Sequence, residues 1–540
     1  MTSISPVGAA SAIQSGAAAV VNRAEAPASR AAAADAVVKL SPEALAASLQ
    51  GPPRVVDAGG APLIWESKSR DPITSLIERN YSAQSTAGRF RGLGAALLGS
   101  FKGEGADVSQ AAQQLPAEAQ VGGYGALFST QPPALHGRGD NQVSLSITTK
   151  GGAKVKVTLD SQDDGLAVQM SSSGTLSEAE RGALAGLAAA FQGAIDGMTQ
   201  EPPKLKLDGL TQFDRTLLAS VDLHVAVRLP NDPQRTQSLD FHADGAHRTV
   251  GIDGPSGAAK VSVDVAKLAG LGSAEQQAKA MTSYLKQVDQ AAARGRGDAG
   301  LVAMFKDAFT AMNSHVGAAN QPGVGGYQSH QVTLSDEDHA MLTGLADFSA
   351  SITQAVKSIN PLRPGELDRF SFDLSQNTSV GGRSQSERTI AQQQQSSLSA
   401  AFHASNKSGV ELRLDLTQES QNYDYYQIED TASSTADMAY RDGQLTRATL
   451  SQEARQSTRL MRYEMGRLTA DTTTPGHQSL QRDLVAALAP DLKGERRKTA
   501  DEIYQRQQAL AQVHELVFLR AYPEQSDSAW SVAPAGQVAG

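Results

Sequence analysis

The chain has 540 residues, a formal net charge of −9 at pH 7 and no cysteine. The absence of cysteine excludes thiol nucleophiles, disulfides and thiolate metal ligands, and the acidic balance argues against nucleic-acid binding, which needs a basic surface. Because aromatic residues make up only 5% of the chain, core material is thin for this length, and we expect unstructured tails around a folded body.

Apolar runs in the sequence are short. None approaches the ~18 residues that span a membrane, and the N-terminus lacks the basic start and continuous apolar stretch of a cleaved signal peptide. We therefore expect a soluble protein without a membrane span, located in the cytoplasm or exported without a cleaved signal peptide.

Residues 1–70 are predicted to form a disordered arm, because small residues alternate with Pro and Ser and nothing large recurs at helical or strand spacing. The segment "KLSPEALAASL" is an exception. Ser41 suits a helix N-cap, Pro42 suits the first helical position, and Leu45 and Leu49 share one face of the predicted helix. Such a short amphipathic helix is either transient or a docking or export element.

Two segments resemble known bacterial proteins. "DAVVKLSPEALAAS" resembles the Asp-x-Val-x-Leu-Ser…Ala segment of proteins encoded with flagellar or type III export systems, and "FRGLGAALLGSFKGEGADVSQ" is similar to segments of poorly characterised proteins from the same setting. The resemblance implies a context of bacterial motility or export. It implies no activity and assigns no functional residue.

The folded body is predicted to begin with a helical segment over residues 71–130, where apolar residues recur at helical spacing. These are Leu76, Ile77, Phe90, Leu93, Leu97 and Leu98. A hairpin-plus-helix α+β unit is predicted to follow over 137–270. In "VSLSITTKGGAKVKVTL", apolar residues alternate with polar ones on both sides of a Lys-Gly-Gly turn. This pattern indicates a hairpin with one solvent-exposed face.

Two pairs of segments within the chain resemble each other. "TLSEAERGALAGLAAAFQGAI" begins at Thr175 and "TLSDEDHAMLTGLADFSASIT" at Thr333, and Ser177 and Ser335 each precede an acid at capping-box spacing. "QVSLS…GGAKVKVTLDSQ" is similarly echoed by "QSSLS…SGVELRLDLTQ". We interpret both echoes as an internal duplication of a hairpin-plus-helix unit.

Four further segments are predicted. Residues 271–360 form a helical segment, 361–470 an extended antiparallel β ribbon with one polar face, 475–523 the C-terminal helices, and 524–540 a disordered tail. In the last strong helix, Ile503, Leu510 and Val517 fall seven residues apart, which indicates a packing helix, with self-association as the alternative. The predicted fold class is α+β: antiparallel hairpins joined by helices, with the disordered arm and C-terminal helices at the ends.

The best metal-like motif is "FHADGAHR". His242 and His247 flank a turn that contains Asp244, and two imidazoles and a carboxylate are ligands that zinc accepts. Because no third strong ligand is evident, the favoured explanation of the motif is an Asp-Gly hairpin turn with exposed histidines. We therefore predict no metal site, with these three residues as the candidates if one exists.

The tetrapeptide GRGD occurs twice, ending at Asp140 and Asp298. It would suit an adhesive ligand, but both copies have structural explanations. Asp298 precedes an apolar-periodic segment, where Asp is a preferred N-cap, and Asp140 stands in a turn just before a strand.

No catalytic or cofactor motif is present. Neither "GPSGAAK" nor "VGGYG" has the spacing of a phosphate loop, and no Gly-x-Ser-x-Gly elbow occurs, so no cofactor is predicted and the catalytic residues stay unassigned. We expect a non-enzymatic structural or interaction protein linked to bacterial motility or type III export, with an unidentified protein partner. The alternative is an exported effector or hydrolase whose active site is dispersed through the sequence.

Overall fold

The computed structural model describes residues 63–67, 71–103, 107–114, 135–229, 232–266, 270–316, 332–489 and 499–521. The short helix predicted around Ser41, the first resemblance segment and the C-terminal tail lie outside these residues. Within the part of the chain described, no helix is both long enough and apolar enough to cross a membrane.

One antiparallel sheet dominates the described body. In chain order its strands are β1 (Leu63–Trp65), β2 (Val108–Gln114), β3 (Asn141–Thr149), β4 (Lys154–Gln162), β5 (Gly165–Ser173), β6 (Leu218–Leu229), β7 (Asp232–Asp244), β8 (His247–Gly254), β9 (Gly257–Asp264), β10 (Asp347–Gln354), β11 (Arg369–Gly382), β12 (Arg388–Ser405), β13 (Tyr423–Arg441), β14 (Gln444–Glu464) and β15 (Arg467–Asp483). Their order across the sheet is β1-β2-β5-β4-β3-β6 and then β7 to β15 in sequence. The prediction of an α+β fold is therefore wrong, because the strands expected in separate hairpins and a ribbon form one continuous sheet.

Tight turns connect long neighbouring strands of this sheet. Asp442 and Gly443, between β13 and β14, have φ angles of 50° and 76°. Met465 and Gly466, between β14 and β15, have φ angles of 48° and 74°. Two consecutive left-handed residues give the turn type whose twist matches antiparallel strands, so long neighbouring strands pair over almost their whole length.

The helices cover one face of the sheet. They are α1 (Pro72–Asn80), α2 (Thr86–Arg89), α3 (Leu93–Gly99), α4 (Glu178–Gly186), α5 (Ala188–Thr199), α6 (Asp208–Thr211), α7 (Ala274–Gly295), α8 (Ala299–Asn313), α9 (Asp336–Ala340), α10 (Val485–Leu488) and α11 (Ala500–Val517). Tyr284 of α7 and Phe309 of α8 each place their ring 5.0 Å from that of Phe348 on β10, in edge-on geometry. These contacts belong to the main core, which extends along the covered face from β1 to β14.

Buried glutamines tie the C-terminal segment to this face. Gln394 donates to the carbonyl of Val517 at 2.7 Å and accepts from the amide of Leu519 at 3.0 Å. Gln452 donates to the carbonyls of Leu516 and Phe518 at 3.0 and 2.9 Å. The covered face of the long strands therefore holds polar side chains that satisfy the backbone groups at a buried helix end.

The predicted duplication is not reproduced in the structure. The first hairpin, β3–β4, forms with its apolar residues buried as predicted, and Ser177 and Ser335 each cap a helix through a capping box. The second helix, α9, nevertheless ends at Ala340, and the chain then enters β10, which was predicted as helix. "VELRLDL" lies in the connection between β12 and β13 and forms no strand.

Candidate functional site

The open face of the sheet carries a continuous polar surface. Side chains alternate between faces along each strand, and residues opposite one another in register share a face. Leu145, Leu223, Val261 and Leu374 lie in one central row on the covered face and are buried. The rows on either side of it point to the open face, and none of their members is buried.

We call these two rows the polar band. The first row comprises Gln169, Thr158, Ser144, His224, Asp240, Gly251, Lys260, Ser351, Asp373, Ser397, Thr431, Arg455 and His477. The second comprises Ser171, Lys156, Ser146, Asp222, His242, Thr249, Ser262, Ser349, Ser375, Gln395, Ser433, Glu453 and Ser479. The band crosses every strand from β5 to β15, so no single sequence window contains it.

A groove of about 640 Å³ lies in the band between β9 and β14. Its floor is made of short side chains, such as those of Ser375 and Ser397, while Lys260, Asp373 and Arg455 are longer and rise around it. Partial burial raises the pKa of Asp373. The groove therefore combines hydroxyl and amide groups with fixed charges of both signs.

The charges at the β14 end of the groove are paired with one another. Arg455 lies 2.6 Å from Glu453, and His477 lies 3.0 Å from the same carboxylate. The hydrogen bond from Arg455 lowers the pKa of Glu453. Lys260 and Asp373 lie in the same row near the β9 end of the groove, with Ser351 of the intervening strand between them.

A second concavity, of about 280 Å³, lies in the band over β6 and β7. Asp222 stands opposite His242, and His224 opposite Asp240, in the strand register. In each pair the Nδ1 of the imidazole lies 2.6 Å from a carboxylate oxygen. Burial by itself lowers the pKa of His242, but hydrogen bonds and charge from Asp222 and Asp244 outweigh it, so the pKa of His242 is raised.

The structure brings two of the three predicted metal-candidate residues together. The Nε2 of His242 lies 3.3 Å from Asp244, whereas His247 contributes only its backbone amide, which donates to Asp244 at 2.7 Å. Within the described residues, no group of three or more His, Asp or Glu side chains is arranged to hold a metal ion. Asp222 was missed from sequence, because it lies 20 residues before His242 and only the strand register joins them.

A buried histidine cluster lies where one end of the open face is covered by two connections, residues 355–368 and 406–422. His403 is bound on both ring nitrogens, with Nδ1 2.6 Å from Asp368 and Nε2 3.2 Å from Glu366. Tyr423 donates to Glu366 at 2.6 Å. Sequence reasoning missed this cluster, because the acids precede the histidine by 35 and 37 positions and no motif links them.

The geometry of this cluster indicates a structural ion network. Both nitrogens of His403 carry hydrogens only in the imidazolium form, and the imidazole side chain has no exposed surface. Burial alone lowers the pKa of His403, but the bonds to Asp368 and Glu366 outweigh it and raise the pKa. A general base needs a free ring nitrogen facing its substrate, and His403 has none.

A Ser-His-Glu trio lies near the opposite edge of the sheet, and its geometry does not fit a nucleophilic relay. Ser109 lies 3.3 Å and Glu66 2.7 Å from the same atom, the Nε2 of His136. In a working triad the acid orients the histidine through Nδ1 while Nε2 faces the nucleophile. Here Ser109 also donates to Glu66 at 2.9 Å, so the trio is a hydrogen-bonded surface cluster.

Both GRGD copies are engaged in structural contacts. Asp298 caps α8 by accepting from the amide of Leu301 at 2.9 Å, as predicted. The guanidinium of Arg296 lies 4.4 Å from the centre of the Phe402 ring. Asp140 precedes β3 and lies 2.7 Å from Arg228.

The C-terminal helix α11 packs through its last turns. Val513 and Val517 are buried against the sheet, and Leu510 is partly buried there, while Ile503 at the other end of the helix is 47% exposed. The predicted packing role is therefore confirmed for the end of the helix. Self-association stays a prediction.

Comparisons with known proteins supply no relative for this chain. No family model matches it, and neither the curated proteins nor the solved structures contain a match.

Proposed function

We propose that the chain is a non-enzymatic interaction protein that binds a polypeptide partner in the groove of the polar band. The observation that carries this proposal is the groove itself, about 640 Å³ with a hydroxyl-rich floor. Strands lie roughly 4.8 Å apart, so hydroxyl and amide groups recur from strand to strand across the groove, where they can donate to and accept from a polypeptide backbone. Lys260 and Asp373 add fixed charges that select and orient the partner.

The composition of the groove favours a polypeptide over a nucleic acid. Its lining contains no aromatic ring, and stacking on aromatic side chains is the usual way to hold bases. A net-basic lining, which phosphates require, is also missing, because the lining has two basic and two acidic side chains.

We further propose that this interaction belongs to bacterial motility or type III export. The support is the resemblance of "DAVVKLSPEALAAS" and "FRGLGAALLGSFKGEGADVSQ" to proteins of that setting. A reporter fused to residues Met1–Gln50 tests this link in bacteria with and without working flagellar or type III export. Reporter outside only the competent cells supports export; reporter retained in both contradicts it.

The groove is tested with site-specific crosslinking. Because the chain has no cysteine, a Ser397→Cys variant carries one thiol on the groove floor, to which a photoreactive maleimide is attached. Ser171→Cys is the matched control, since Ser171 lies in the same band on β5, outside the groove.

We expect one discrete crosslinked product from position 397 in extract of the native host, and none from position 171. The product should disappear when Lys260→Ala and Asp373→Ala are combined with Ser397→Cys. Equal products from both positions, or a product indifferent to the charge changes, would contradict binding in the groove.

A further inference from the structure

The segment after α11 runs along the covered face beside β12. The carbonyl of Val517 accepts from Gln394 of β12 at 2.7 Å, and Ala521 lines a small cavity together with Leu398 of the same strand. Residue numbers therefore increase in the same direction along the segment and along β12. At Ala521 the described chain points toward the end of β12 that carries Ser405.

A buried amide without a partner lies beside this path. Gln456 of β14 stands opposite Asp430 in the strand register, and Asp430 lines the same small cavity as Ala521. The side-chain nitrogen of Gln456 is buried and has no hydrogen-bond partner within the described part of the chain. Gln452, four residues earlier on the same face of β14, donates to two carbonyls of the C-terminal segment. Gln456 is therefore placed to donate to the next carbonyls of a chain that continues along this path, as a buried donor requires.

A row of half-buried apolar side chains crosses the covered face beyond this point. Phe402, Tyr426 and Leu460 stand opposite one another on β12, β13 and β14, and we call them the apolar strip. The rings of Phe402 and Tyr426 are stacked with their centres 5.1 Å apart. The guanidinium of Arg296 lies over the Phe402 ring, and none of the described carboxylates forms an ion pair with it. The strip therefore offers aromatic surface and one positive charge to a segment that covers it.

We propose that the apolar strip is the docking site of residues 522–532 of the same chain, "YPEQSDSAWSV". Tyr522 and Trp530 supply large flat side chains, which pack favourably on other aromatic rings. Glu524 and Asp527 carry the charge opposite to that of the arginine over the strip. The segment therefore matches the strip in both apolar character and charge.

The segment is long enough to reach the strip. Phe402 lies four residues beyond Leu398 on β12, which corresponds to about 13 Å at ~3.3 Å per residue. Trp530 lies nine residues beyond Ala521, and an extended chain of that length spans up to about 30 Å. Docking within one chain therefore needs no rearrangement of the described body, and the first carbonyls of the segment meet Gln456 on the way.

Photocrosslinking in the full-length protein tests the proposal. Because the chain has no cysteine, Leu460→Cys places a single thiol on the strip, to which a benzophenone maleimide is attached. Arg459→Cys is the matched control, since Arg459 is the adjacent residue on β14 and its side chain lies on the open face. No Lys or Arg follows Arg520, so trypsin releases residues 521–540 as one peptide that mass spectrometry identifies.

We expect a crosslink between position 460 and the 521–540 peptide of the same chain, and none above background from position 459. Adding Trp530→Ala to Leu460→Cys should lower the yield severalfold. Adding Val538→Ala, which lies outside the docked segment, should leave the yield unchanged.

Three results would overturn the proposal. The first is the absence of this crosslink from position 460, or equal yields from positions 460 and 459. The second is an equal effect of Trp530→Ala and Val538→Ala. The third is a crosslink to the peptide of a second chain, detected by mixing the labelled variant with ¹⁵N-enriched protein, because the strip would then join two copies. Circular dichroism confirms that each variant is folded.

Discussion

Arg248 donates a hydrogen bond of 3.1 Å from Nη1 to the carbonyl oxygen of Met312, in the last turn of α8. The same guanidinium also donates to the carbonyls of Ser314, Thr211 and His315. The side chain is 1% exposed, and among the described residues no carboxylate pairs with it. A buried cation thus binds backbone carbonyls through both of its Nη atoms at a helix C-terminus, where the helix dipole favours positive charge.

Replacing Arg248 should destabilise the body strongly. Arg248→Met removes every donor from four carbonyls, and buried acceptors without partners cost about 1–3 kcal/mol each, so we expect a loss of about 3 kcal/mol or more. Arg248→Lys keeps the positive charge but has fewer donors, so its stability should lie between that of the unaltered protein and that of Arg248→Met. The midpoint of urea unfolding measures the stability of each variant, and Arg413→Met, at an exposed arginine, is the control. An Arg248→Met protein as stable as the unaltered one would show that these carbonyls find other partners.

The run of four glutamines in β12 provides an internal comparison. Gln392 and Gln394 are buried on the covered face, whereas Gln393 and Gln395 are exposed on the open face. Gln394→Leu removes the partners of Val517 and Leu519, and we expect it to cost about 2–4 kcal/mol. Gln393→Leu should change stability by less than about 0.5 kcal/mol.

The two glutamine variants are compared by urea midpoint and by hydrogen exchange of residues 516–521. Faster exchange in that segment for Gln394→Leu alone would show that the glutamine holds the C-terminal segment. Equal stability of the two variants would contradict the assignment of faces in β12.

The alternation of buried and exposed residues along the strands was largely predictable from sequence. The sites formed by residues distant in sequence were not. The faces of β3 and β4 follow from period-2 spacing. In β10 the same signal was present, since Phe348, Ala350 and Ile352 alternate and are buried, but the resemblance to the first capping-box helix favoured a helix. In the structure these three residues are buried in the sheet, so the segment forms a strand despite its similarity to the first capping-box helix.

The histidine sites depend on strand register, which a single sequence does not specify. Asp222 and His242 meet because β6 and β7 pair in one register out of several. A shift by one residue would move every side chain of a strand to the other face. The acids around His403 come from a connection that folds over the sheet, and no local pattern signals such a contact.

Asp298, in the second GRGD copy, should contribute to stability as the N-cap of α8. Asp298→Ala removes the N-cap of α8 and should cost about 1 kcal/mol. Asp298→Asn retains an acceptor for the amide of Leu301 and should stay within about 0.5 kcal/mol of the unaltered protein. Thermal unfolding midpoints distinguish the two. If both variants lose the same stability, the charge of Asp298 matters and the cap is not its main role.

The cluster around His403 should make stability depend on pH in a defined window. The pKa of His403 is raised in the folded state, because its bonds to Asp368 and Glu366 outweigh burial. Its contribution is therefore complete below the unfolded value of about 6.5 and is lost as pH rises through the folded pKa. For Glu366 burial raises the pKa, but hydrogen bonds from His403 and Tyr423 outweigh it and lower the pKa, so its contribution is lost as pH falls below about 4.5.

The two contributions overlap between about pH 4.5 and 6.5. We expect His403→Gln to lose about 2–3 kcal/mol at pH 6 and progressively less as pH rises. The measurement is the difference in urea midpoint between the variant and the unaltered protein from pH 5 to 9, together with hydrogen exchange of residues 356–368. His477→Gln, an exposed histidine paired with Glu453, is the control and should show a small difference throughout. A His403→Gln penalty that stays constant or grows with pH would mean that His403 is held in its neutral form.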